Sequence, residues 1–289
     1  MIYLFGTTLL WAFSFSLIGV YLAGQVDAWF SVLMRVALAV LLFLPFLKFR
    51  TVSKSLAIKL MGVGAIQLGV MYGFYYHSFL FLTVPEVLLF TVMTPLIVTL
   101  LNDALDRRFN PWFFIAATVA TLGAITIRYD GLSSDFVAGF FIVQGANLCF
   151  ASGQVFYKRI MANEPNLSQH TVFGYFFIGA FLVAAVSFLL FGDVSTLPQT
   201  TLQWGVLTYL GIVASGVGYF AWNKGATLVN VGTLAVMNNL LIPAGIIVNV
   251  LIWNRDADIA RLSIGSGIIL LALLINQKIF PNNRTNVLS

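Results

Sequence analysis

Long apolar stretches separated by short polar segments recur along the whole chain. About 20 apolar residues in an α-helix are enough to cross the roughly 30 Å hydrocarbon core of a bilayer. Ten such stretches are present, with predicted limits Ile2 to Val20, Ala28 to Phe46, Leu60 to Ser78, Val84 to Leu101, Pro111 to Ile127, Phe136 to Val155, Val172 to Leu190, Leu202 to Ala221, Thr233 to Ile252 and Ser263 to Ile279. Few polar residues lie between the third and fourth stretches. They are predicted as two spans because Pro85 interrupts the helix and because the two stretches together are too long for one span. The pattern predicts an all-α membrane protein with ten transmembrane helices.

The composition supports a place in the membrane. Hydrophobic residues make up 60% of the chain and charged residues 9%, whereas soluble domains have roughly 45 to 50% and 25%. The chain therefore has too few charges to cover a water-exposed surface. Its single cysteine, Cys149, cannot form an intramolecular disulfide, and the sequence contains neither a CxxC nor an HExxH motif. We predict no metal site and no cofactor.

The positive charges predict how the chain is oriented. They lie in short loops between the apolar stretches, which indicates membrane topology rather than nucleic-acid binding. If the N-terminus is cytoplasmic, eleven of the 15 basic residues fall on the inner side, three on the outer side, and Arg35 lies within the second span. The inner set is Lys48, Arg50, Lys54, Lys59, Arg107, Arg108, Lys158, Arg159, Lys224, Lys278 and Arg284, and the outer set is Arg128, Arg255 and Arg261. We therefore expect both termini in the cytoplasm and no nucleic-acid partner.

The two halves of the chain resemble each other weakly. The segments Gly69 to Tyr72 (GVMY) and Gly216 to Tyr219 (GVGY) lie 147 residues apart, and Pro95 and Pro243 lie 148 residues apart. Because each half has five predicted spans, the second half enters the membrane in the opposite orientation. Inverted repeats recur in secondary transporters, whose substrate sites lie near the bilayer midplane. The predicted repeats are residues 1–130 and residues 131–289, the second with a short cytoplasmic tail.

Several stretches of the sequence resemble known transporters. TVMTPL (Thr91 to Leu96) and GTLAVMNNLLIPAG (Gly232 to Gly245) resemble the proline-bearing fourth helix of EamA-type repeats in the drug/metabolite transporter superfamily. Bacterial biotin uptake carriers are similar over nearly the whole chain, through LLWAFSFS (Leu9 to Ser16), QLGVMY (Gln67 to Tyr72), LLFTVMTPL (Leu88 to Leu96), PQTTLQWG (Pro198 to Gly205) and VASGVGYF (Val213 to Phe220). The first resemblance implies the fold and a transport role, and the second implies biotin as the substrate. Neither half clearly keeps the Glu that many EamA-type halves carry at one end of this helix.

Arg35 is the foremost candidate for substrate binding. It lies about seven residues into the second span, or roughly 10 Å below the outer surface at 1.5 Å per residue. A charge at the centre of a span costs about 2.5 to 3.5 kcal/mol on insertion scales, so a retained one indicates function. A guanidinium offers paired donors that match a carboxylate, such as that of the biotin implied by the resemblance. The alternative is an ion pair with Glu86 that holds the second and fourth spans together.

Amide, aromatic and hydroxyl side chains within the spans are further candidates. An amide both donates and accepts, which suits a ureido ring, and aromatic rings can form the wall of a pocket for an apolar bicyclic ligand. Adjacent Asn238 and Asn239 point about 100° apart on a helix, so at most one aims squarely at a central cavity. Their alternative role is packing or interhelical hydrogen bonding. The full set is Trp11, Ser14, Tyr72, Gln144, Asn147, Tyr219, Trp222, Asn238 and Asn239.

These features together predict a secondary transporter of a small organic metabolite. No nucleotide-binding loop occurs, so ATP is not expected to drive transport directly. Glu86 and His77, near the outer ends of their spans, are candidates for proton coupling. Biotin uptake across a bacterial inner membrane is the leading hypothesis. The alternatives are export of amino acids or drug-like metabolites by the same scaffold and, more remotely, a polytopic membrane enzyme, for which the spans hold no paired carboxylates or nucleophile constellation.

Overall fold

The apolar stretches of the sequence form α-helices. The computed structural model describes residues 1–48, 52–128, 136–253 and 259–279, and within these ranges the chain has helices and no strands. The α-helices are α1 (Ile2–Tyr21), α2 (Ala28–Phe43), α3 (Lys54–Gly64), α4 (Met71–Ser78), α5 (Val84–Phe90), α6 (Thr94–Asp106), α7 (Pro111–Arg128), α8 (Phe136–Ala162), α9 (Phe173–Phe191), α10 (Thr201–Tyr209), α11 (Gly218–Thr227), α12 (Val231–Trp253) and α13 (Ile259–Ile279). The predicted all-helical class is therefore confirmed.

Within the described residues, seven helical segments are long and apolar enough to cross a membrane. They are Ile2–Tyr21, Ala28–Phe46, Lys54–Ser78, Glu86–Asp106, Gln169–Phe191, Thr201–Thr227 and Val231–Ile252. The other three predicted spans fall on α7, α8 and α13, which are helical but do not belong to these seven. The count of ten spans stays a prediction. The predicted outer loops at 129–135 and 254–258 and the predicted C-terminal tail lie outside the described residues.

A capped helix start divides the third predicted span from the fourth. Helix α4 ends at Ser78 and α5 begins at Val84. The Glu86 carboxylate reaches back to this start, where Thr83 donates to its Oε2 from the backbone nitrogen at 2.7 Å and from Oγ1 at 2.8 Å. This contact satisfies a backbone N–H that no helical carbonyl can reach. Glu86 thus stabilises the first turn of α5 and does not form the alternative ion pair with Arg35.

Three helical segments change their hydrogen-bonding pattern midway. A 3₁₀ turn, Thr91–Met93, separates α5 from α6 just before Pro95, which lacks the N–H of a regular helix. A π-helical segment, Ala65–Val70, separates α3 from α4, and a second one, Leu210–Val217, separates α10 from α11. Each π segment ends two residues before a tyrosine of the GVMY or GVGY motif, so the two interruptions occupy corresponding places in the predicted repeats.

Helices α3 and α9 cross at two glycines. A β-carbon built on Gly64 would overlap the carbonyl oxygen of Phe176, and one built on Gly179 would overlap the carbonyl oxygen of Met61. Small residues at such crossings let transmembrane backbones approach closely, which increases their van der Waals contact. This crossing joins a helix from the first predicted repeat to one from the second.

We predict that Gly64→Ala and Gly179→Ala each lower the thermal unfolding midpoint of the purified protein. The added methyl group must push two backbones apart, and overpacking of this kind costs about 1 to 3 kcal/mol. Gly62→Ala is the matched control on the same helix, because a β-carbon there meets nothing within 4 Å. Alanine favours a helix interior by about 1 kcal/mol over glycine, so the control should melt at the wild-type temperature or above it. Equal midpoints for all three variants would contradict the close crossing.

Candidate functional site

A cavity opens in the middle of the helix bundle. It contains about 690 Å³ of space not filled by protein atoms, a figure that includes the part open to solvent. Helices α1, α2, α4, α6, α8, α11 and α12 and the 3₁₀ turn Thr91–Met93 all contribute to its wall. Seven of the predicted binding residues line it: Trp11, Ser14, Arg35, Tyr72, Asn147, Tyr219 and Asn238. The predicted residues Gln144, Trp222 and Asn239 lie behind this wall.

Arg35 is the charged group of the cavity. Its side chain is 2% exposed and donates three hydrogen bonds. Nε donates to Ser215 Oγ at 3.1 Å, Nη1 donates to Tyr76 Oη at 3.1 Å, and Nη2 donates to Tyr72 Oη. The guanidinium carbon also lies 4.2 Å from the centre of the Tyr72 ring, within range of a cation–π interaction.

The partners of Arg35 are dipoles rather than charges. Among the residues that the structure describes, the one ion pair joins Arg159 to Asp106, and no carboxylate contacts Arg35. Hydroxyl groups and aromatic faces can stabilise a buried cation but leave its net charge in place. The cavity therefore carries a positive charge in a mostly apolar wall, an arrangement that favours an anionic ligand.

Aromatic rings form one side of the cavity. The Trp11 ring lies 5.0 Å from the Tyr219 ring and 5.7 Å from the Phe150 ring, measured between centroids. Trp222 packs behind Trp11 at 5.1 Å. The Trp11 indole Nε1 donates to the carbonyl of Ala214, in the second π segment, at 2.8 Å. The N–H of the indole is therefore not available to a ligand. Trp11 thus presents an apolar face to a ligand, which suits a flat or bicyclic ring system.

The amide of Asn147 supports the helix break near Pro95. Its Nδ2 donates to the carbonyl of Phe90, the last residue of α5, at 2.8 Å and to Gln144 Oε1 at 3.0 Å. Its Oδ1 accepts from Thr94 Oγ1 at 3.0 Å. A helix end leaves carbonyls without intrahelical partners, and the amide satisfies one of them. Both N–H groups of Asn147 are therefore used within the protein, and Gln144 serves the same network.

The adjacent asparagines of α12 have different surroundings. Asn238 lines the cavity and exchanges two hydrogen bonds with Gln154, at 3.2 and 3.1 Å, while Asn239 is fully buried away from the cavity. Neither amide atom of Asn239 has a hydrogen-bond partner in the part of the chain that the structure describes. The two side chains thus point in different directions, as expected from the 100° between consecutive residues of a helix.

Ser14 is a buried hydroxyl with no partner on the cavity wall. It is 5% exposed, and its Oγ makes no hydrogen bond to any described residue. A buried hydroxyl that lacks a partner costs about 1 to 3 kcal/mol, which a ligand or water in the cavity can offset. The indole Nε1 of Trp222, behind the wall, also has no partner among the described residues. Ser14 is thus free to bind a polar ligand atom.

Glu86 and His77, the candidates for proton coupling, are engaged elsewhere. Glu86 caps the start of α5, and His77 Nδ1 pairs with the Gly73 carbonyl at 2.8 Å. The His77 ring also packs on Trp29 with centroids 4.6 Å apart. Neither residue lines the cavity, so the geometry does not support a role for them next to a ligand there.

Polar contacts join helices at the end of the bundle that contains the first turn of α1. Arg159 Nη2, on α8, donates to Asp106 Oδ1 at 2.6 Å and to the carbonyl and Oδ1 of Asn102, both at 3.0 Å. Lys158 Nζ donates to the carbonyls of Ala226 and Val229 at 3.0 and 2.6 Å, between α11 and α12. The Arg159 contacts join helices of the two predicted repeats, and the Lys158 contacts join helices within the second repeat.

Two residues that complete the Arg35 site were not predicted as binding residues. Tyr76 follows Tyr72 by four positions, so both lie on one face of a helix, and this spacing is a signal that the sequence contains. Ser215 lies 180 residues from Arg35 in the chain, and no local pattern connects them. Only the tertiary structure brings Ser215 to the guanidinium.

Comparisons with known proteins agree with this geometry. The sequence model of the EamA-like transporter family matches residues 1–129 and 137–277. The chain is 55% identical over 278 residues to a "Probable biotin transporter" of Pseudomonas aeruginosa, covering 96% of this chain and 97% of that protein. It is 50% identical over 273 residues to proteins named "Biotin transporter" in Salmonella typhimurium and Escherichia coli K12, covering 94% of this chain and 91% of theirs.

A solved structure supports the fold. One described as "Crystal structure of protein" superposes with a TM-score of 0.75 and covers 99% of this chain and 98% of its own. Its sequence identity is 18%, so this similarity concerns the fold alone. The apolar helices and the transporter relatives together identify a multi-pass membrane protein.

We predict that Asn147→Leu lowers the thermal unfolding midpoint of the purified protein. The change leaves the Phe90 carbonyl and the Thr94 hydroxyl without this partner, at a cost of about 1 to 3 kcal/mol. Ser14→Ala is the control, since it removes a polar cavity group that makes no hydrogen bond to a described residue. The control should melt at the wild-type temperature or above it, since it removes a buried hydroxyl that has no described partner. If both variants melt alike, the amide of Asn147 does not support the helix break.

Proposed function

The chain belongs to the EamA-like transporter family, and we propose that it takes up biotin across a bacterial inner membrane. The observation that carries the proposal is its identity of 50 to 55% to proteins named as biotin transporters, over at least 94% of this chain. The cation of the cavity supports the same substrate, because biotin is a carboxylate at neutral pH. Transport needs no bond to be made or broken, and we propose that the chain is not an enzyme.

The proposed substrate fits the cavity in two parts. Its carboxylate binds Arg35, with the Tyr72 hydroxyl beside it, because a guanidinium and a carboxylate form paired, charge-assisted hydrogen bonds. Its apolar ring system lies against Trp11 and Tyr219. Ser14 is the free hydroxyl for the ureido group, while Asn147 and Asn238 shape the wall. Gln144, Trp222 and Asn239 support these residues from behind.

We propose that transport follows alternating access in an inverted-repeat fold. The repeats are residues 1–130 and 131–289, each with five spans, and both termini are cytoplasmic. The two π segments at corresponding positions and the basic residues of the inner loops support this arrangement. The Arg159–Asp106 contact joins the two repeats at the end that this orientation places in the cytoplasm. Release into the cytoplasm requires that this contact open.

We predict that the chain restores biotin uptake to cells that lack both biotin synthesis and their own carrier. Saturable uptake of labelled biotin should appear only in cells that express the chain. Desthiobiotin should compete for uptake, and tryptophan should not. Equal competition by tryptophan would favour the amino-acid carrier, and an absence of uptake from a chain present in the membrane would refute the proposed function.

We predict that Arg35 determines the preference for an acid. Arg35→Lys keeps the charge but loses the paired donors, so the affinity for biotin should fall by roughly 10-fold to 100-fold, which corresponds to about 1.5 to 3 kcal/mol. Arg35→Ala should abolish saturable uptake while the protein stays in the membrane. The measurement is competition of biotin and of biotin amide against labelled biotin, with protein abundance measured in parallel.

Glu86→Ala serves as the control for the alternative ion pair. Because Glu86 caps α5, this variant should keep the wild-type preference for the acid. If instead Arg35→Ala removes the protein from the membrane, Arg35 has a structural role. If Arg35→Ala keeps saturable uptake and prefers biotin over its amide as strongly as the wild type does, Arg35 does not bind the carboxylate.

A further inference from the structure

Ser215 lies behind the cavity wall and contacts two side chains that form it. Its Oγ accepts a hydrogen bond from Arg35 Nε at 3.1 Å and lies 3.0 Å from Tyr72 Oη. Ser215 is fully buried and does not itself line the cavity. Its hydroxyl can therefore hold the guanidinium and the Tyr72 hydroxyl in place, but it does not touch a ligand in the cavity.

The second π segment, Leu210–Val217, brings Ser215 close to α2. Two glycines of this segment make the approach possible, because a β-carbon on Gly211 would lie 2.7 Å from Leu38 Cδ1 and one on Gly216 would lie 2.7 Å from Leu42 Cδ2. The carbonyl of the preceding residue, Ala214, accepts from the Trp11 indole. Two consecutive residues of the segment thus hold two side chains of the cavity wall. Such π interruptions often occur at functional sites.

The hydrogen bonds of Arg35 leave donors for a ligand. A guanidinium has five N–H groups, and Ser215, Tyr76 and Tyr72 accept from three of them. One N–H on each terminal nitrogen remains. Ser215 and Tyr72 share one hydrogen bond, and both oxygens accept from Arg35, so one of their two hydroxyl protons has no acceptor within this group. These donors suit the two oxygens of a carboxylate.

We propose that Ser215 is a positioning residue for carboxylate recognition by Arg35 and Tyr72. The proposal rests on the proposed function, since it concerns how that same site binds an acid. By holding Nε, Ser215 fixes the plane of the guanidinium so that the donors on the terminal nitrogens stay directed to one carboxylate. Without Ser215, the guanidinium can rotate, and the paired geometry that distinguishes an acid from an amide is lost.

Ser215 and Arg35 belong to different halves of the chain, and this matters for substrate release. Arg35, Tyr72 and Tyr76 belong to the first segment matched by the family, 1–129, whereas Ser215 belongs to the second, 137–277. The carboxylate site is therefore complete only while the two segments keep this arrangement. A movement that separates Ser215 from Arg35 weakens the site, which helps to release the substrate on the other side of the membrane.

The test compares Ser215→Ala with Ser31→Ala. Ser31 is a matched control, because it is fully buried on α2, one turn before Arg35, and its hydroxyl has no partner among the described residues. In membranes that contain each variant, biotin and biotin amide compete against labelled biotin. Ser215→Ala should raise the half-inhibitory concentration of biotin by about tenfold, the loss expected when one of the charge-assisted hydrogen bonds between Arg35 and the carboxylate is misaligned. The value for biotin amide should change less than twofold, and Ser31→Ala should match the wild type for both compounds.

The competition experiment separates a failure of the positioning role from a failure of the proposed function. If Ser215→Ala weakens the binding of biotin and of biotin amide equally, Ser215 does not position the carboxylate site. The same conclusion follows if Ser215→Ala and Ser31→Ala give equal half-inhibitory concentrations. A wild type that binds no biotin refutes the proposed function instead. In that case, the rise in the thermal unfolding midpoint on adding pentanoate or pentanamide is measured for each purified protein. Stronger stabilisation by pentanoate in the wild type and Ser31→Ala than in Ser215→Ala supports the positioning role, and an equal response in all three, including none, overturns it.

Discussion

A cation buried in the middle of an apolar helix bundle is the constraint on which the site depends. Removing a guanidinium from water is costly unless hydrogen bonds and a counter-charge replace its hydration. Here hydroxyl groups from three residues supply the hydrogen bonds, and no described carboxylate supplies the charge. An anionic ligand is therefore needed to neutralise the charge of Arg35 in the cavity. This is the physical reason that a carboxylate substrate suits the structure better than a neutral or cationic one.

A second constraint links the cavity to the irregular parts of the helices. Inside a membrane, backbone polar groups need partners within the protein. The carbonyl of Phe90, at the end of α5, receives the amide of Asn147, and the carbonyl of Ala214, in the second π segment, receives the indole of Trp11. Both side chains line the cavity. The helix interruptions that shape the cavity are thus stabilised by the same residues that form its wall.

Three contacts between the two segments matched by the family differ in kind. Gly64 and Gly179 let α3 and α9 cross closely, Ser215 joins Arg35 at the cavity, and Arg159 joins Asp106 at the end near the start of α1. The glycine crossing is a fixed steric contact between backbones, whereas the other two are hydrogen bonds that can be exchanged for water or ligand. The polar contacts are therefore the ones that can change during a transport cycle.

The sequence by itself predicted the helical class, the approximate limits of most helices and the place of Arg35 within the second helix, because apolar length and the cost of a buried charge are local properties. It also predicted that Asn238 and Asn239 could not both reach a cavity, since helical geometry separates neighbours by about 100°. The cap that Glu86 forms joins residues only three positions apart, Thr83 and Glu86, and is a local pattern. Only the tertiary structure decided that Asn147 supports a helix break and that Ser215 holds Arg35. These roles depend on which partner lies across a helix interface, and the pairing of side chains 57 to 180 residues apart leaves no periodic signal in the chain.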